Sequence, residues 1–176
     1  MTSSDRTSLD GRDLSALARR VGSWRDVAEP GPARVAFVCA KFNGAVTAAL
    51  LEGALDELER RTVDLRTVSV TWVPGAFELP LAARHLATGG GADAVVALGA
   101  VIRGDTPHFD FVAGQCAQGL QEVQLSTGVP TVFGVLTCDS EEQAWQRAGR
   151  GGANKGAEAA VAALEMAALV RAAERA

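Results

Sequence analysis

Residues 94–98 form an uninterrupted apolar run, Ala-Val-Val-Ala-Leu, and this run limits the folds open to the chain. A short apolar run without polar alternation is typical of a strand in a parallel sheet that helices cover on both faces. Residues 34–40 and 131–136 are similar segments, and residues 63–70 alternate between apolar and polar side chains as a more exposed strand does. The sequence therefore predicts four strands.

Segments with helical spacing separate these predicted strands. One predicted helix begins after Asn43, a residue able to cap it. Its apolar stripe consists of Val46, Leu50, Ala54 and Leu58. Further helices are predicted over residues 77–87, 107–126, 141–147 and 155–173. Strands that alternate with helices through right-handed crossovers give an α/β fold, with three α/β/α layers around a four-stranded parallel sheet.

The first 33 residues are predicted to form a partly disordered extension ahead of a domain that spans residues 34–176. Residues 1–10 are rich in Ser, Thr and Asp, which favours disorder. Residues 13–21 have the apolar spacing of a short amphipathic helix, and Pro30-Gly31-Pro32 interrupts the chain before the domain. The pattern of this extension indicates no function.

Composition and charge exclude several classes of partner and cofactor. A formal net charge of −4 provides no basic surface for nucleic acid. No apolar run approaches the roughly 20 residues of a membrane span. The first ten residues lack the apolar core of a secretion signal, so we expect a cytoplasmic protein. No dinucleotide or P-loop fingerprint is present, so no nucleotide cofactor is predicted.

The three cysteines are odd in number and scattered, at Cys39, Cys116 and Cys138. In a cytoplasmic protein this pattern predicts reduced thiols rather than disulfides. Their spacing is not that of metal ligands, so no metal site is predicted.

The turn that follows the apolar run has the features of a ligand site. Gly99 and Gly104 are expected to let the chain turn sharply beyond the strand. Asp105 or Thr106 can cap a helix whose first turn suits Pro107. In an open α/β sheet, ligands bind at this end of the strands, and the free N–H groups of a helix N-terminus favour an anion. The sequence thus predicts a phosphate site at this turn.

His108 lies beside this predicted phosphate site. A histidine can both donate and accept a proton near neutral pH, so His108 is a candidate general acid and base. The alternative is a capping or hydrogen-bonded histidine at a helix start, and position alone does not separate the two. The only other histidine, His85, falls late in a helix that ends in glycines and is expected at the surface.

Five motifs, taken in order along the chain, resemble those of the 6,7-dimethyl-8-ribityllumazine synthase family. They are Lys41-Phe42-Asn43, Val73-Pro74-Gly75-Ala76-Phe77-Glu78-Leu79-Pro80, Ala-Val-Ile-Arg-Gly-Asp-Thr-Pro-His-Phe at residues 100–109, Phe133-Gly134-Val135-Leu136-Thr137, and Arg147-Ala148-Gly149 followed by Asn154-Lys155-Gly156. The resemblance covers roughly residues 34–173. It implies a flavodoxin-like strand order and homopentamers, which in this family can build icosahedral cages, with riboflavin synthase as a candidate partner.

The resemblance also implies an activity, that of a transferase of riboflavin biosynthesis. The family condenses 5-amino-6-(D-ribitylamino)uracil with 3,4-dihydroxy-2-butanone 4-phosphate to give 6,7-dimethyl-8-ribityllumazine, in the penultimate step of that pathway. Such chemistry consists of proton transfers on groups that react readily once aligned. It therefore calls for positioning and one proton carrier, and for no cofactor or metal.

In the family, the position of His108 is the proton-transfer catalyst. The positions that bind ribitylaminouracil correspond to Phe42, Ala76, Phe77, Glu78, Ala100, Val101, Ile102 and Phe133. Those that bind butanone phosphate correspond to Asp105, Thr106 and Arg147, and Lys155 keeps its family position too. The family places Phe133 and Arg147 in the pocket of the adjacent subunit.

Residue types alone leave alternatives open at four of these positions. Phe42 could pack on the following helix as a hydrophobic staple, and Glu78 could be a first-turn partner of a helix dipole. Phe133 lies inside an apolar strand, so the sequence alone favours a core position. Arg147 taken alone is typical of a solvated surface arginine, although a guanidinium suits bidentate phosphate binding.

Two rival functions share the same scaffold. A non-catalytic flavin- or lumazine-binding protein would lack the proton carrier or the phosphate arginine, yet both His108 and Arg147 are present. A structural shell is compatible with an enzyme, but Pro30 and Pro32 cannot donate to an added edge strand of the kind that a cage uses. A pentamer is therefore expected rather than a cage.

Overall fold

The computed structural model describes residues 19–20, 33–149 and 154–175. Within these residues the strands form one sheet, in the order β2-β1-β3-β4, with all neighbours parallel. The strands are β1 (Val35–Ala40), β2 (Ser69–Val73), β3 (Ala94–Ile102) and β4 (Thr131–Cys138). The predicted four-stranded parallel sheet and its flavodoxin-like order are confirmed.

Helices cover both faces of the sheet. They are α1 (Gly44–Arg60), α2 (Leu79–Thr88), α3 (His108–Thr127), α4 (Glu141–Ala148) and α5 (Lys155–Glu174). On one face α1, α4 and α5 share a core with Phe37 and Leu98, and the predicted stripe of α1 lies entirely within it. On the other face α2 and α3 pack against Val38 and Ala97. Because successive strand residues point to opposite faces, the apolar runs of β1 and β3 supply both cores.

The second strand differs from its prediction. The sequence predicted it over residues 63–70, but Leu65–Thr67 forms a 3₁₀ turn in which the main-chain nitrogen of Arg66 donates to the Asp64 carboxylate. The alternating apolar pattern arises because Val63, Leu65 and Val68 pack against the core from the loop that connects α1 to β2. The strand continues instead to Val73, and Trp72 pairs with Cys39 inside β2.

The central strand is longer than predicted. It continues past Leu98 to Ile102, which pairs with Cys138 at the end of β4. Gly99 therefore lies inside the strand and not in a turn. A Cβ atom at Gly99 would lie 3.2 Å from the Ala40 Cβ atom, so this glycine permits close packing between β3 and β1.

The predicted side-chain caps of two helices are wrong. Asn43 occupies the cap position of α1 in a left-handed conformation, with φ 55°, but its side chain makes no capping bond. At α3 the cap position belongs to Pro107, whose side chain has no polar group to accept a hydrogen bond, and neither Asp105 nor Thr106 replaces it. The Asn43 side chain donates instead to the Ala100 carbonyl at 2.8 Å, whereas the side chains of Asp105 and Thr106 form no hydrogen bond within the described ranges.

Other predictions have mixed outcomes. All three cysteines are unpaired and buried, and burial raises the pKa of the Cys39 and Cys116 thiols to about 12. His85 is exposed, as predicted. In the part of the chain that the structure describes, no helix is long and apolar enough to cross a membrane. The predictions of disorder over residues 1–10, a helix over 13–21 and a break at 30–32 concern residues outside the described ranges.

Candidate active site

A cavity of about 640 Å³ lies where β1, β2 and β3 end and α3 begins. It is lined by Phe42, Pro74, Gly75, Ala76, Phe77, Glu78, Ala100, Val101, Ile102, Gly104, Thr106, His108, Phe109, Phe111 and Val112. Its volume is in the range of small-molecule sites. Its position agrees with the prediction that ligands bind at the carboxyl ends of the strands.

His108 is the first residue of α3, and its side chain is exposed on the cavity. The start of α3 has no side-chain cap. The imidazole is therefore next to a helix N-terminus whose N–H groups can bind an anion. The structure thus places the candidate proton carrier and the candidate phosphate seat together, as the sequence predicted.

Phe42 follows β1 on the opposite wall of the cavity. Its main-chain nitrogen donates to the carbonyl oxygen of Pro74 at 3.0 Å, which fixes the backbone beside the loop after β2. The side chain is 72% exposed, so it is not packed on α1 and the staple alternative fails. An exposed aromatic face at a cavity wall can stack on a flat heterocycle.

The loop after β2 contributes a short 3₁₀ helix, Ala76–Glu78. Ala76 is buried, whereas Phe77 is 59% exposed and Glu78 presents its carboxylate near the backbone of Gly75. A Cβ atom at Gly75 would lie only 3.3 Å from the Glu78 carboxylate. The small residue therefore lets this carboxylate approach the cavity floor, where it can accept hydrogen bonds from hydroxyl groups.

The last residues of β3 form an open edge on the cavity. Pairing between β1 and β3 ends at Cys39 and Leu98, whereas pairing between β3 and β4 continues to Ile102. Residues 100–102 thus extend past β1 on one side. Main-chain groups at this edge can bind a planar ligand as a neighbouring strand would. One of them, the Ala100 carbonyl, already accepts a hydrogen bond from the Asn43 side chain at 2.8 Å.

The turn 103–107 carries two of the predicted phosphate contacts, Asp105 and Thr106. Gly104 and Thr106 line the cavity, whereas Asp105 is exposed and does not line it. Arg103 begins the turn and bonds to the Asp139 and Asp110 carboxylates. The structure therefore brings Thr106 but not Asp105 to the cavity within one chain.

Phe133 and Arg147 do not reach this cavity. They line a separate depression of about 380 Å³ along the edge strand β4, together with Lys155 and Glu158. Arg147 donates to the Gln143 carbonyl at 2.9 Å, and Lys155 forms an ion pair with Glu158 at 2.7 Å. The structure thus divides the predicted site residues of one chain between two surfaces.

The core position that the sequence alone favoured for Phe133 is wrong. Phe133 is 41% exposed on β4, which is an edge strand of the sheet. Burial of Val135 and Leu136 shows that the same strand is covered farther along. An apolar run does not reveal which strand of a sheet is at the edge.

Sequence reasoning named no role for Phe111 and Val112, although both line the cavity. They follow His108 by three and four residues, so they share its face of α3. Phe111 is 68% exposed, which sets it apart from the buried stripe of that helix. The spacing from His108 was the available signal.

Comparisons with known proteins agree with this geometry. The family model described as 6,7-dimethyl-8-ribityllumazine synthase matches residues 32–171. A protein of that name from Edwardsiella ictaluri is 57% identical over 135 residues, which are 76% of this chain and 86% of that protein. Another, from Protochlamydia amoebophila, is 52% identical over 134 residues, which are 76% of this chain and 78% of that protein.

Proposed function

The chain belongs to the 6,7-dimethyl-8-ribityllumazine synthase family, and we propose that the cavity around His108 is half of its active site. The activity is that of a transferase of riboflavin biosynthesis. It condenses 5-amino-6-(D-ribitylamino)uracil with 3,4-dihydroxy-2-butanone 4-phosphate to give 6,7-dimethyl-8-ribityllumazine. The observation that supports our placement is the convergence of His108, an exposed aromatic ring and an open strand edge on one cavity.

The pyrimidine substrate occupies the wall formed by β1 and β3 in this proposal. Phe42 stacks on the ring, and the free edge of residues 100–102 hydrogen-bonds its polar rim. Ala76 and Phe77 close the other side, and Glu78 accepts hydrogen bonds from the ribityl hydroxyls. An aromatic face and a strand edge together orient a flat heterocycle, which is the main requirement of this reaction.

His108 moves the protons of the reaction in this proposal. The 5-amino group attacks the ketone and water leaves, which gives an imine. Loss of a proton from the carbon next to the imine expels the phosphate and leaves an enol, which takes up a proton to become a new ketone. The ribitylamino nitrogen then closes the ring on this ketone with loss of a second water. A histidine at the cavity mouth can accept and return the proton at each stage.

The phosphate group lies at the turn before α3 in this proposal. The Thr106 hydroxyl, the main-chain N–H of Asp105 and the N–H groups of the first helical turn provide neutral donors there. Their balancing cation is Arg147, which a neighbouring copy supplies along with Phe133. The separation of these two residues from the His108 cavity in one chain supports this arrangement. Head-to-tail contacts between two different surfaces generate a closed ring.

We further propose a cytoplasmic homopentamer whose catalytic domain spans residues 34–176, with residues 1–33 as an extension. Riboflavin synthase, which would consume the product, is the proposed partner. A sedimentation measurement decides the stoichiometry, and a value for one or two copies per particle would contradict the ring.

The activity is tested by incubating the purified protein with both substrates and following the absorbance of the lumazine. We expect product only when both substrates are present, with phosphate released in equal amount. Matched reactions with His108→Ala and His85→Ala separate the proposed catalyst from an exposed histidine elsewhere. Tight binding of the lumazine without turnover would instead indicate a binding protein and would overturn the proposal.

A further inference from the structure

Arg103 connects the end of the sheet to the start of α3. Its Nε atom donates to Oδ1 of Asp139 at 3.0 Å, and its Nη1 atom lies 3.3 Å from Oδ1 of Asp110. Its guanidinium carbon also lies 4.1 Å from the centre of the Phe109 ring. Its main-chain nitrogen donates to the Cys138 carbonyl at 2.9 Å. The Arg103 side chain thus contacts Asp139, just after β4, and Asp110 and Phe109 at the start of α3.

The turn that Arg103 begins has little else to hold it. Among the described residues, the side chains of Asp105 and Thr106 form no hydrogen bond, and α3 starts without a side-chain cap. The main-chain hydrogen bonds of the turn lie at its two ends, from Arg103 to the Cys138 carbonyl and from Asp110 to the Pro107 carbonyl. Its shape therefore depends on contacts from its two ends, and the Arg103 side chain provides those contacts.

The groups that Arg103 holds are next to the proposed reacting groups. Asp110 is in the first turn of α3, and Phe109 follows His108 and lines the cavity with it. Thr106, on the proposed phosphate side, lies between these residues and Arg103 in the chain. A shift of this turn would move the phosphate donors and the proton carrier together. Displacements of about 1 Å at such groups can cost 10²-fold in rate.

Stability does not account for this network. Arg103 is 44% exposed, and the Asp110 and Asp139 side chains are 63% and 71% exposed. Exposed ion pairs contribute little to folding, because water screens them. The hydrogen bond that Arg103 donates to Asp139 raises the pKa of the Arg103 guanidinium further, so these pairs persist wherever the carboxylates are ionised.

We propose that Arg103 is a positioning residue of the condensation, which holds the turn 104–110 so that Thr106 and His108 keep their spacing around the butanone phosphate. This inference depends on the proposed function. Arg103 acts through Asp139, Asp110 and Phe109 and does not touch the substrate, since its side chain does not line the cavity. Loss of the side chain is therefore expected to affect the phosphate substrate and turnover more than the pyrimidine.

The test compares Arg103→Ala, Asp139→Asn and the double variant with wild type, using kcat and the KM for each substrate. Arg66→Ala is the matched control, because Arg66 forms an exposed ion pair with Asp64 outside the cavity lining. For Arg103→Ala we expect kcat divided by the KM for butanone phosphate to fall about five- to thirtyfold, the sum of two ion pairs and one cation–π contact. The KM for the pyrimidine should stay near the wild-type value, and the oligomeric state should be unchanged.

Coupling between the two residues separates positioning from direct binding. Asp139→Asn should produce a smaller loss in the same direction, and the double variant should be no worse than Arg103→Ala alone. If Asp139→Asn instead leaves the KM for butanone phosphate unchanged or lowers it, the guanidinium binds the phosphate itself and the positioning role is wrong. If Arg103→Ala fails to assemble, Arg103→Lys replaces it in the same comparison of single and double variants. Lysine keeps the charge but lacks the planar fork.

Amide hydrogen exchange over residues 104–110 provides a readout that does not need turnover. Exchange there should be faster in Arg103→Ala than in wild type or Arg66→Ala, while exchange in β3 stays slow. Unchanged exchange together with unchanged kinetics would overturn the inference. If wild type makes no lumazine, the proposed function fails, and the exchange result alone decides whether Arg103 holds the turn.

Discussion

The side-chain amide of Asn43 donates to the main-chain carbonyl of Ala100 at 2.8 Å, across 57 residues of chain. This bond joins the loop after β1, which carries Phe42, to the free edge of β3. Asn43 itself adopts a left-handed conformation with φ 55°, a region that asparagine tolerates better than most residues. The two walls of the cavity that flank the proposed pyrimidine site are therefore fixed to each other by one side chain.

Replacement of Asn43 should separate its hydrogen bond from its backbone conformation. Both Asn43→Ala and Asn43→Gly lose the bond to Ala100, but only alanine adds the cost of a left-handed backbone. We expect Asn43→Gly to be more stable than Asn43→Ala by about 0.5–1 kcal/mol in free energy of unfolding. Urea titrations of both variants measure the difference. Equal stabilities would mean that the left-handed conformation is not strained.

His108→Ala should keep the oligomer and slow turnover. Loss of general acid–base catalysis typically costs 10²–10⁴-fold, and we expect about 10²-fold or less because the condensing groups react readily once aligned. His85→Ala, which alters an exposed histidine on α2, should retain wild-type rates. Steady-state rates across the pH range measure both. A wild-type rate for His108→Ala at every pH would remove this residue from the mechanism.

Arg147→Ala should weaken the phosphate substrate far more than the pyrimidine. Loss of a charge-assisted contact is expected to raise the KM for butanone phosphate about 10–150-fold. Arg147→Lys should recover only part of the loss, since lysine lacks the planar fork. Arg84→Ala, on the exposed side of α2, is the control. An equal loss for both substrates would point to a collapsed interface rather than to a missing phosphate ligand.

Acid stability should depend on Asp93, which accepts hydrogen bonds from the side chain and the main-chain nitrogen of Arg34. The hydrogen bond from the Arg34 side chain lowers the pKa of this carboxylate in the folded state. The pair therefore contributes stability above the unfolded pKa of about 3.9, and this contribution is lost as the pH falls through the lower folded value.

Asp93→Asn should therefore be less stable than wild type at pH 6, and this gap should narrow as the pH falls below about 4. Urea midpoints at pH 6 and pH 3 measure it, with Asp56→Asn on the exposed side of α1 as the control. If the difference in urea midpoint between Asp93→Asn and wild type is the same at pH 6 and pH 3, the lowered pKa of Asp93 does not contribute to stability and the prediction is wrong. Activity should be unaffected, because the pair lies at the opposite end of the strands from the cavity.

The sequence predicted the layers because apolar runs and helical spacing report directly on burial, whereas the strand order was implied by the family resemblance. The predicted β3 was too short, because the sequence does not distinguish a glycine in a turn from a glycine that permits close packing inside a strand, as Gly99 does. The second strand was misplaced because Val63, Leu65 and Val68 pack against the core although they lie in a loop, which gives the same apolar pattern as a strand. Periodicity reports which side chains are buried, but it does not report the backbone that buries them.

At the site, residues within the strand ends and the turn were predictable from their neighbours in the chain. Phe42, Thr106 and His108 each follow or approach the end of a strand, and the parallel sheet brings those ends together. The positions of Phe133 and Arg147 could not be predicted in this way. Phe133 lies on β4 and Arg147 near the end of α4, so their surroundings depend on which strand is at the edge of the sheet. In our proposal, their use also depends on a second copy of the chain.

The most direct test of the shared site is to mix His108→Ala with Arg147→Ala, dissociate the two variants and reassemble them together. Random mixing at equal amounts should pair an intact His108 side with an intact Arg147 side at roughly a quarter of the interfaces. At low butanone phosphate, the activity should then rise well above that of either variant alone. If the activity only averages the two variants, although mass spectrometry proves that subunits have exchanged, each site lies within one chain and the account is wrong.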